Sequence, residues 1–591
     1  MLVVGDVAAV DRELFALARG RGRLALRLGE ALLRLEELGG HQALGFSTLA
    51  SWSLERCSRT GRWAAETRAL AKRLSLLPEM RGAFERGELS LSMVELLSRH
   101  ATAGDERELL EATAGMTVRQ VRAVLREKGE QLEEETEPMR TVTITVPTEE
   151  AWALEATRML VEHMDGRGKA SDFVESLLAE GQTSLIHVLE QMGVTADVLP
   201  EHLQRAHERW LEERRRLDEL RERVEERAEG RLAPNAREPG RAPAAEDETW
   251  DLYEAERRVR RLCAEAASRD LWLGEMLGRF FAVRGYETLG HASEGQYCRE
   301  RLGMGRATAW RRIDLTRAGR RLDAVAEAVR SGRIGLEAAR LIARVAGEQS
   351  QGAWVERAGR RTYKHLQQEV QMVETLARLE SVPMLPPSDA EVSQFEALER
   401  DVLSGAMFRG PSGTEREGAK SGGDEQVSMS GSGSVGGGVA KENRARGRVT
   451  VRLRVRAEVA LQLRQLDAVY QAQLGDSGLS FAAFLCASFW ATWVGSLGKS
   501  DKYELVYRAN VYRCSCPVCV RRDVTAHHVV YRSHGGGEEP GNLTSPCAFC
   551  HLLAIHAGLM SVRGTAPDRL LWLIGRRPLI AVEGREKREV A

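Results

Sequence analysis

The sequence predicts a mainly α, multidomain protein. Two copies of a helical module are each followed by a strand-helix element, and a small C-terminal domain is organised around cysteine and histidine. Three observations carry this reading. The chain superimposes on itself, apolar residues recur three and four apart through most of its length, and five of nine cysteines fall within 37 residues near the C-terminus. At 591 residues the chain is about four times a typical domain length, so one core cannot hold it.

A gapless shift of 245 residues places 26–101 on 271–346 with 20 identities in 76 positions. Leu26-Arg-Leu-Gly-Glu30 meets Leu271-Trp-Leu-Gly-Glu275, and Gly87-Glu-Leu-Ser-Leu91 meets Gly332-Arg-Ile-Gly-Leu336. Breaks such as Glu85-Arg-Gly87 and Arg330-Ser-Gly332 divide each copy into several helices, and the amphipathic run Leu336 to Val345 reads as a core helix. The modules are placed at 1–135 and 250–381.

A second element repeats. Thr141 to Val146 alternates as a strand and leads into a helical run, and so does Arg448 to Val455. These two align at a shift of 309, so the second copy carries 64 more residues between its parts. The elements are placed at 136–200 and 448–500. The excess falls in 382–447, whose Ser430-Gly-Ser-Gly-Ser-Val-Gly-Gly-Gly438 reads as a flexible Gly/Ser-rich linker. Residues 201–249 join the copies. Glu/Arg interleaving over 201–231 predicts an exposed charged helix that could support a homo-oligomer, followed by a Pro/Ala-rich linker.

The 85 basic and 86 acidic residues nearly cancel, which excludes uniform basicity but not local basic surfaces. Residues 299–321 hold eight Arg against two acids, and 54–76 hold five Arg and one Lys against two. Such stretches read either as DNA-backbone contacts or as solvated helix faces. No apolar run reaches the ~18 residues needed to span a bilayer. The best, Phe481 to Val494, is interrupted by Ser488 and Thr492. The N-terminus lacks a basic leader before its apolar stretch, so the expectation is a cytoplasmic protein with no membrane partner.

The chemistry concentrates near the C-terminus, in a domain placed at 505–565 and followed by a tail over 566–591. Cys516-Pro-Val-Cys519 and Cys547-Ala-Phe-Cys550 are two C-x2-C pairs, which suit one tetrahedral structural Zn2+. Cys514 reads as a bystander. Val524 to Tyr531 alternates as a strand, so His527 and His528 face opposite sides and serve different tasks. Gly535-Gly-Gly537 forces a turn, Asn542 follows, and a helix starts near Cys550.

This arrangement resembles the HNH nuclease family, also called ββα-metal nucleases. The matching residues are Cys516/Cys519, His527-His528, Gly535-Gly536, Asn542, Cys547/Cys550, His551 and His556. The upstream region is similar to helical repeats of unknown function that precede HNH domains in bacterial proteins. The resemblance implies a zinc-stapled ββα-metal fold that hydrolyses DNA with one divalent metal (Mg2+, Mn2+, Ni2+ or Zn2+). It implies His528 as general base, His527 with His551 and His556 as metal ligands, and Asn542 as the residue holding the loop that orients His528. Arg532 is added as a phosphate contact. His551 and His556 lie five apart, which on a regular α-helix separates them by about 140° and strains shared ligation. The competing expectations are a non-catalytic, zinc-containing DNA-binding regulator and a protein-interaction scaffold.

Overall fold

The computed structural model describes residues 4–127, 139–165, 170–193, 246–408, 447–494, 497 and 503–590. The charged helix expected over 201–231, with its role in oligomerisation, and the glycine-rich core of the expected linker lie outside these residues.

Helices begin at Gly40, Leu49, Gly61, Pro78, Leu91, Glu106 and Val118, and again 245 residues later at Gly285, Glu294, Arg306, Asp323, Leu336, Gln351 and Tyr363. The repeated Leu-x-Leu-Gly-Glu has a packing cause. A Cβ on Gly29 would lie 2.4 Å from Ala71 Cβ, and one on Gly274 would lie 2.5 Å from the Arg312 carbonyl oxygen. Glycine therefore lets the first long helix of each copy press against the helix starting at Gly61 or Arg306. The copies differ at their start. Val4–Arg19 and Arg21–Glu37 are separated at Gly20, whereas their counterpart Glu246–Ala282 is one continuous helix.

The copies are interlocked. Val7 and Leu14 from the first helix join Leu277, Phe280 and Tyr297 of copy two in one core. Leu24, Leu28 and Leu35 of copy one pack with Leu252, Val259 and Leu262 from the other end of the long helix. Ion pairs follow the same exchange. Arg56 reaches Glu256 at 2.7 Å, and their counterparts 245 residues away, Arg301 and Asp11, pair at 2.7 Å. Arg59 and Arg312 both bind Asp270, at 3.0 and 2.9 Å. Several arginines of the two basic stretches thus hold helices together rather than lining a free surface.

The repeated strands pair with each other. β1 (Met139–Pro147) and β2 (Arg448–Arg456) are antiparallel, with Thr143 opposite Arg452, so residues related by the shift of 309 lie at the centre of a local two-fold. Val146 from β1 and Val451 and Val455 from β2 face inward onto the helices Thr148–Asp165, Ala170–Gln191, Ala457–Leu474 and Phe481–Trp493, which share one core. The apolar Phe481–Trp493 is buried in it. Among the described residues no single helix is long and apolar enough to cross a membrane.

Two expectations change. The opening of the expected linker 382–447 contains the helix Asp389–Leu403, started by a capping box between Ser388 and Glu391. The expected tail completes a four-stranded antiparallel meander of β5 (Met560–Thr565), β6 (Arg569–Ile574), β7 (Ile580–Glu583) and β8 (Glu586–Glu589). Leu570, Trp572, Ile574 and Val582 of this sheet enter the core of copy one. Its last strand is held by Lys587 on Glu55, Glu586 on Arg361, and Glu589 on Arg56. Charged residues dominate these last positions, and they read as tail until their partners, hundreds of residues earlier in the chain, are brought to them.

Candidate metal centre

The five clustered cysteines are all buried and free. The Sγ atoms of Cys514, Cys519, Cys547 and Cys550 lie within 4.8 Å of one another. The fourth member is therefore Cys514, not Cys516 as the C-x2-C spacing predicts. The backbone explains the exchange. The Cys514 N–H donates to the Arg521 carbonyl at 2.9 Å and the Cys519 N–H to the Cys516 carbonyl at 3.1 Å, folding 514–521 back on itself. The Cys547 N–H donates to Cys514 Sγ at 3.1 Å. Burial pushes the Cys514 thiol up, and hydrogen bonds from its neighbours push Cys550 up. Hydrogen bonds led by Cys514 hold Cys519 and Cys547 below the ordinary thiol range, so two of the four are biased toward the thiolates a metal requires. Four convergent thiols suit a structural zinc.

Both helical copies grip this knuckle. Ser47 Oγ of copy one lies 2.9 Å from Cys519 Sγ. From copy two, the buried Lys364 Nζ donates to the carbonyls of Cys514 at 2.7 Å and Cys516 at 2.9 Å, and Thr362 Oγ1 donates to that of Pro517 at 2.8 Å.

The adjacent histidines sit on the short strand β3 (His527–His528), paired with β4 (Leu543–Thr544). Regular pairing is briefer than the predicted strand, with an isolated bridge between Val524 and Cys547 upstream. His527 is buried, and its ring lies 4.7 Å from that of His551 and 5.7 Å from that of His556. Ligand nitrogens of all three lie within 4.8 Å of one another. The five-residue spacing is resolved by the backbone. Phe549–Ile555 is a π-helix, and the His556 N–H donates to the His551 carbonyl at 3.3 Å. An i→i+5 turn stacks residues five apart, and these two rings lie 5.0 Å apart.

Burial, then the adjoining His551 and His556, pushes the His527 pKa down to about 3, so its ring is neutral near pH 7 and offers a lone pair. Thr525, missed in the sequence, fixes the tautomer of His551. Its hydroxyl donates to the Pro546 carbonyl at 3.1 Å and therefore accepts from His551 Nδ1–H at 2.9 Å, which leaves Nε2 free for a metal. Three imidazoles converging with no carboxylate in the group fit a divalent cation.

His528 points the other way. Its Nε2 lies 3.2 Å from Arg532 Nε and 3.3 Å from Glu538 Oε1. A neutral ring accepts from the guanidinium and a protonated ring donates to the carboxylate, so both protonation states have a partner. Arg532 also binds Glu538 and reaches Tyr503 OH at 3.4 Å. Glu538 follows the glycine turn with only its charge as a sequence signal.

Asn542 is buried and clamps the intervening loop. Its Oδ1 accepts from the Val530 N–H at 2.7 Å, and its Nδ2 donates to the carbonyls of Val530 at 3.1 Å and Gly537 at 2.9 Å. The turn requires its glycines. Gly535 has φ +84°, and a Cβ on Gly536 would lie 1.8 Å from the Val530 carbonyl oxygen. His534 stays in this turn, away from the three-imidazole cluster.

Residues 512–554 match the family model described as HNH endonuclease. Neither the curated proteins nor the solved structures contain a significant match to the chain. Members of this family are usually endonucleases and generally use a divalent metal, so the match indicates a nuclease-type function on nucleic acid. Near its C-terminus, this chain carries an HNH endonuclease domain.

Proposed function

We propose that the protein is a metal-dependent endonuclease that hydrolyses DNA phosphodiester bonds, with His528 as general base. The observation that carries this reading is the division of labour at β3. His527 turns inward to His551 and His556, while His528 turns outward toward a cation and a carboxylate. His527, His551 and His556 would hold one divalent cation, which when bound stabilises negative charge developing on the phosphate and the leaving oxygen.

The remaining steps belong to side chains of this chain. His528 Nε2 takes a proton from the attacking water, and the resulting imidazolium donates to Glu538, 3.3 Å away. Arg532 contacts the scissile phosphate, exchanging its Nε contact with His528 for a phosphate oxygen. Asn542 keeps the 530–537 loop, and with it Arg532, at a fixed distance from His528. The four-thiol knuckle staples the two short strands to the helical scaffold, and the protein acts in the cytoplasm.

Plasmid DNA incubated with purified protein and Mg2+, Mn2+, Ni2+ or Zn2+ should be nicked or linearised. His528→Ala should lower the rate roughly 10²- to 10⁴-fold, the usual contribution of general-base catalysis. Equal rates for the two proteins in every metal would sink the catalytic assignment. DNA binding without cleavage would favour the regulatory alternative.

A further inference from the structure

The arginines of the helical modules and those of the β1–β2 ribbon occupy opposite situations. In the modules Arg56, Arg59, Arg301 and Arg312 are tied to acids. On the ribbon, Thr141, Thr143 and Thr145 from β1 and Arg448, Thr450, Arg452 and Arg454 from β2 are all exposed. Alternation puts these residues on one face, because their neighbours Val142, Ile144, Val146, Val449, Val451 and Leu453 turn toward the helices. Arg448 donates to the Thr145 carbonyl at 2.8 Å and Arg456 pairs with Glu175 at 2.8 Å. Between them the guanidinium groups of Arg452 and Arg454 have no hydrogen bond or ion pair among the described residues. No acidic residue lies on this face of either strand.

We propose that this ribbon enters the major groove of duplex DNA and reads its bases, with Arg452 and Arg454 as the residues that recognise guanine. Shape and charge both favour the occupant. A major groove about 12 Å wide and 8.5 Å deep admits a two-stranded ribbon, whose strands lie about 4.8 Å apart. Free guanidinium groups complement a polyanion and fit guanine O6 and N7 with paired donors, while threonine offers a methyl group to thymine and a hydroxyl to any base.

The local two-fold adds a prediction about the target. Related positions on the two strands sit symmetrically about Thr143 and Arg452, but their chemistry has diverged. Thr141, Thr143 and Thr145 correspond at the shift of 309 to Thr450, Arg452 and Arg454. A symmetric frame therefore presents an asymmetric set of side chains. The recognised site is non-palindromic, with its guanines clustered in one half. This assignment does not depend on the chemistry at His528, because it concerns binding alone.

The test uses the full-length chain carrying His528→Ala, so that bound DNA stays intact, and a pool of random-sequence duplexes. Selection should enrich sequences with guanine in one half-site. On the enriched duplex, Arg452→Ala and Arg454→Ala should each weaken binding about 10- to 100-fold, with a much smaller loss on unrelated sequence. Arg452→Lys should restore it only in part, since a flexible ammonium lacks the rigid planar fork of the guanidinium. Replacing the enriched guanines with 7-deazaguanine, which lacks the N7 acceptor, should reproduce the loss in the parent protein. Both residues are exposed, and circular dichroism would verify that the variants remain folded. Unchanged affinity in the variants overturns the proposal. So does an equal loss on every sequence with the salt slope reduced by about one, the signature of a phosphate contact. A pool without base preference, or equal binding to duplex RNA, would also overturn it. Absence of cleavage by the protein with His528 intact, with binding retained, would count against the nuclease reading alone.

Discussion

Gly45 and Gly290 occupy the same place in the two helical copies and adopt the same left-handed backbone, with φ of +87° and +82°. Their surroundings differ. A Cβ on Gly45 would stand 2.8 Å from the Leu559 carbonyl oxygen and 3.2 Å from the Gly575 nitrogen, both in the C-terminal domain. A Cβ on Gly290 would meet nothing within 4 Å among the described residues. The reciprocal ion pairs show the same contrast. Arg56 and Glu256 have side chains 3% and 1% exposed and are covered by the strand that carries Glu589. Arg301 is 36% exposed and its partner Asp11 9%. The C-terminal domain has docked on one of two related faces, turning a near-symmetric scaffold into an asymmetric one. Copy one's face became a buried interface, and copy two's counterpart closed over its own aromatic cluster of Phe280, Phe281, Tyr286 and Tyr297.

The largest expected effect removes that docking altogether. Cys547→Ser or Cys514→Ser should abolish zinc binding, whose free energy is on the order of 10 kcal/mol, and expose the core around Phe46 and Trp52. Cys516→Ser should retain the metal. Zinc content measured on all three variants separates the Cys514 knuckle from the Cys516 one, and a metal-free Cys516→Ser protein would reverse the assignment.

The ion pairs should rank next. Arg56→Ala leaves the buried Glu256 with only the longer Arg260 contact at 4.0 Å and should cost about 3–5 kcal/mol. Arg301→Ala should cost roughly 1 kcal/mol, because water reaches that pair and Tyr297 OH still donates to Asp11 at 3.0 Å. Urea unfolding of the two variants provides the comparison, and equal losses would mean that docking does not seal the first pair.

The glycines should differ least. Gly290→Ala should cost only the left-handed backbone term of about 1–2 kcal/mol. Gly45→Ala should add an overpacking term of about 1–3 kcal/mol and loosen the C-terminal domain. A thermal-unfolding difference near zero between them would show that the interface yields easily at Leu559.

Much of the site was legible in the residues themselves. His527, His528, Asn542 and the glycine turn occupy the places their chemistry suggests, because strand alternation and positive φ are properties of a few neighbouring residues. Spacing misled at two points. A C-x2-C pair implied Cys516, yet a backbone turn from 514 to 521 delivers Cys514 instead. A spacing of five from His551 to His556 argued against shared ligation only for an α-helix, and the π-helix removes the objection. Thr525 and Glu538 carried no signal, since their value lies in what faces them.

The sequence by itself determined the duplication, the helix starts that recur 245 residues apart, the two alternating strands and the cysteine–histidine cluster. These follow from periodicity, turn chemistry and ligand type, all of which act over short stretches of chain. Only the tertiary structure decided that the two strands pair with each other, and that Arg56 and Arg301 each cross to the opposite copy. It also decided which face the C-terminal domain covers. Those outcomes join residues from 200 to more than 500 positions apart. Their energies depend on which surfaces are removed from water together, and no local pattern encodes that choice.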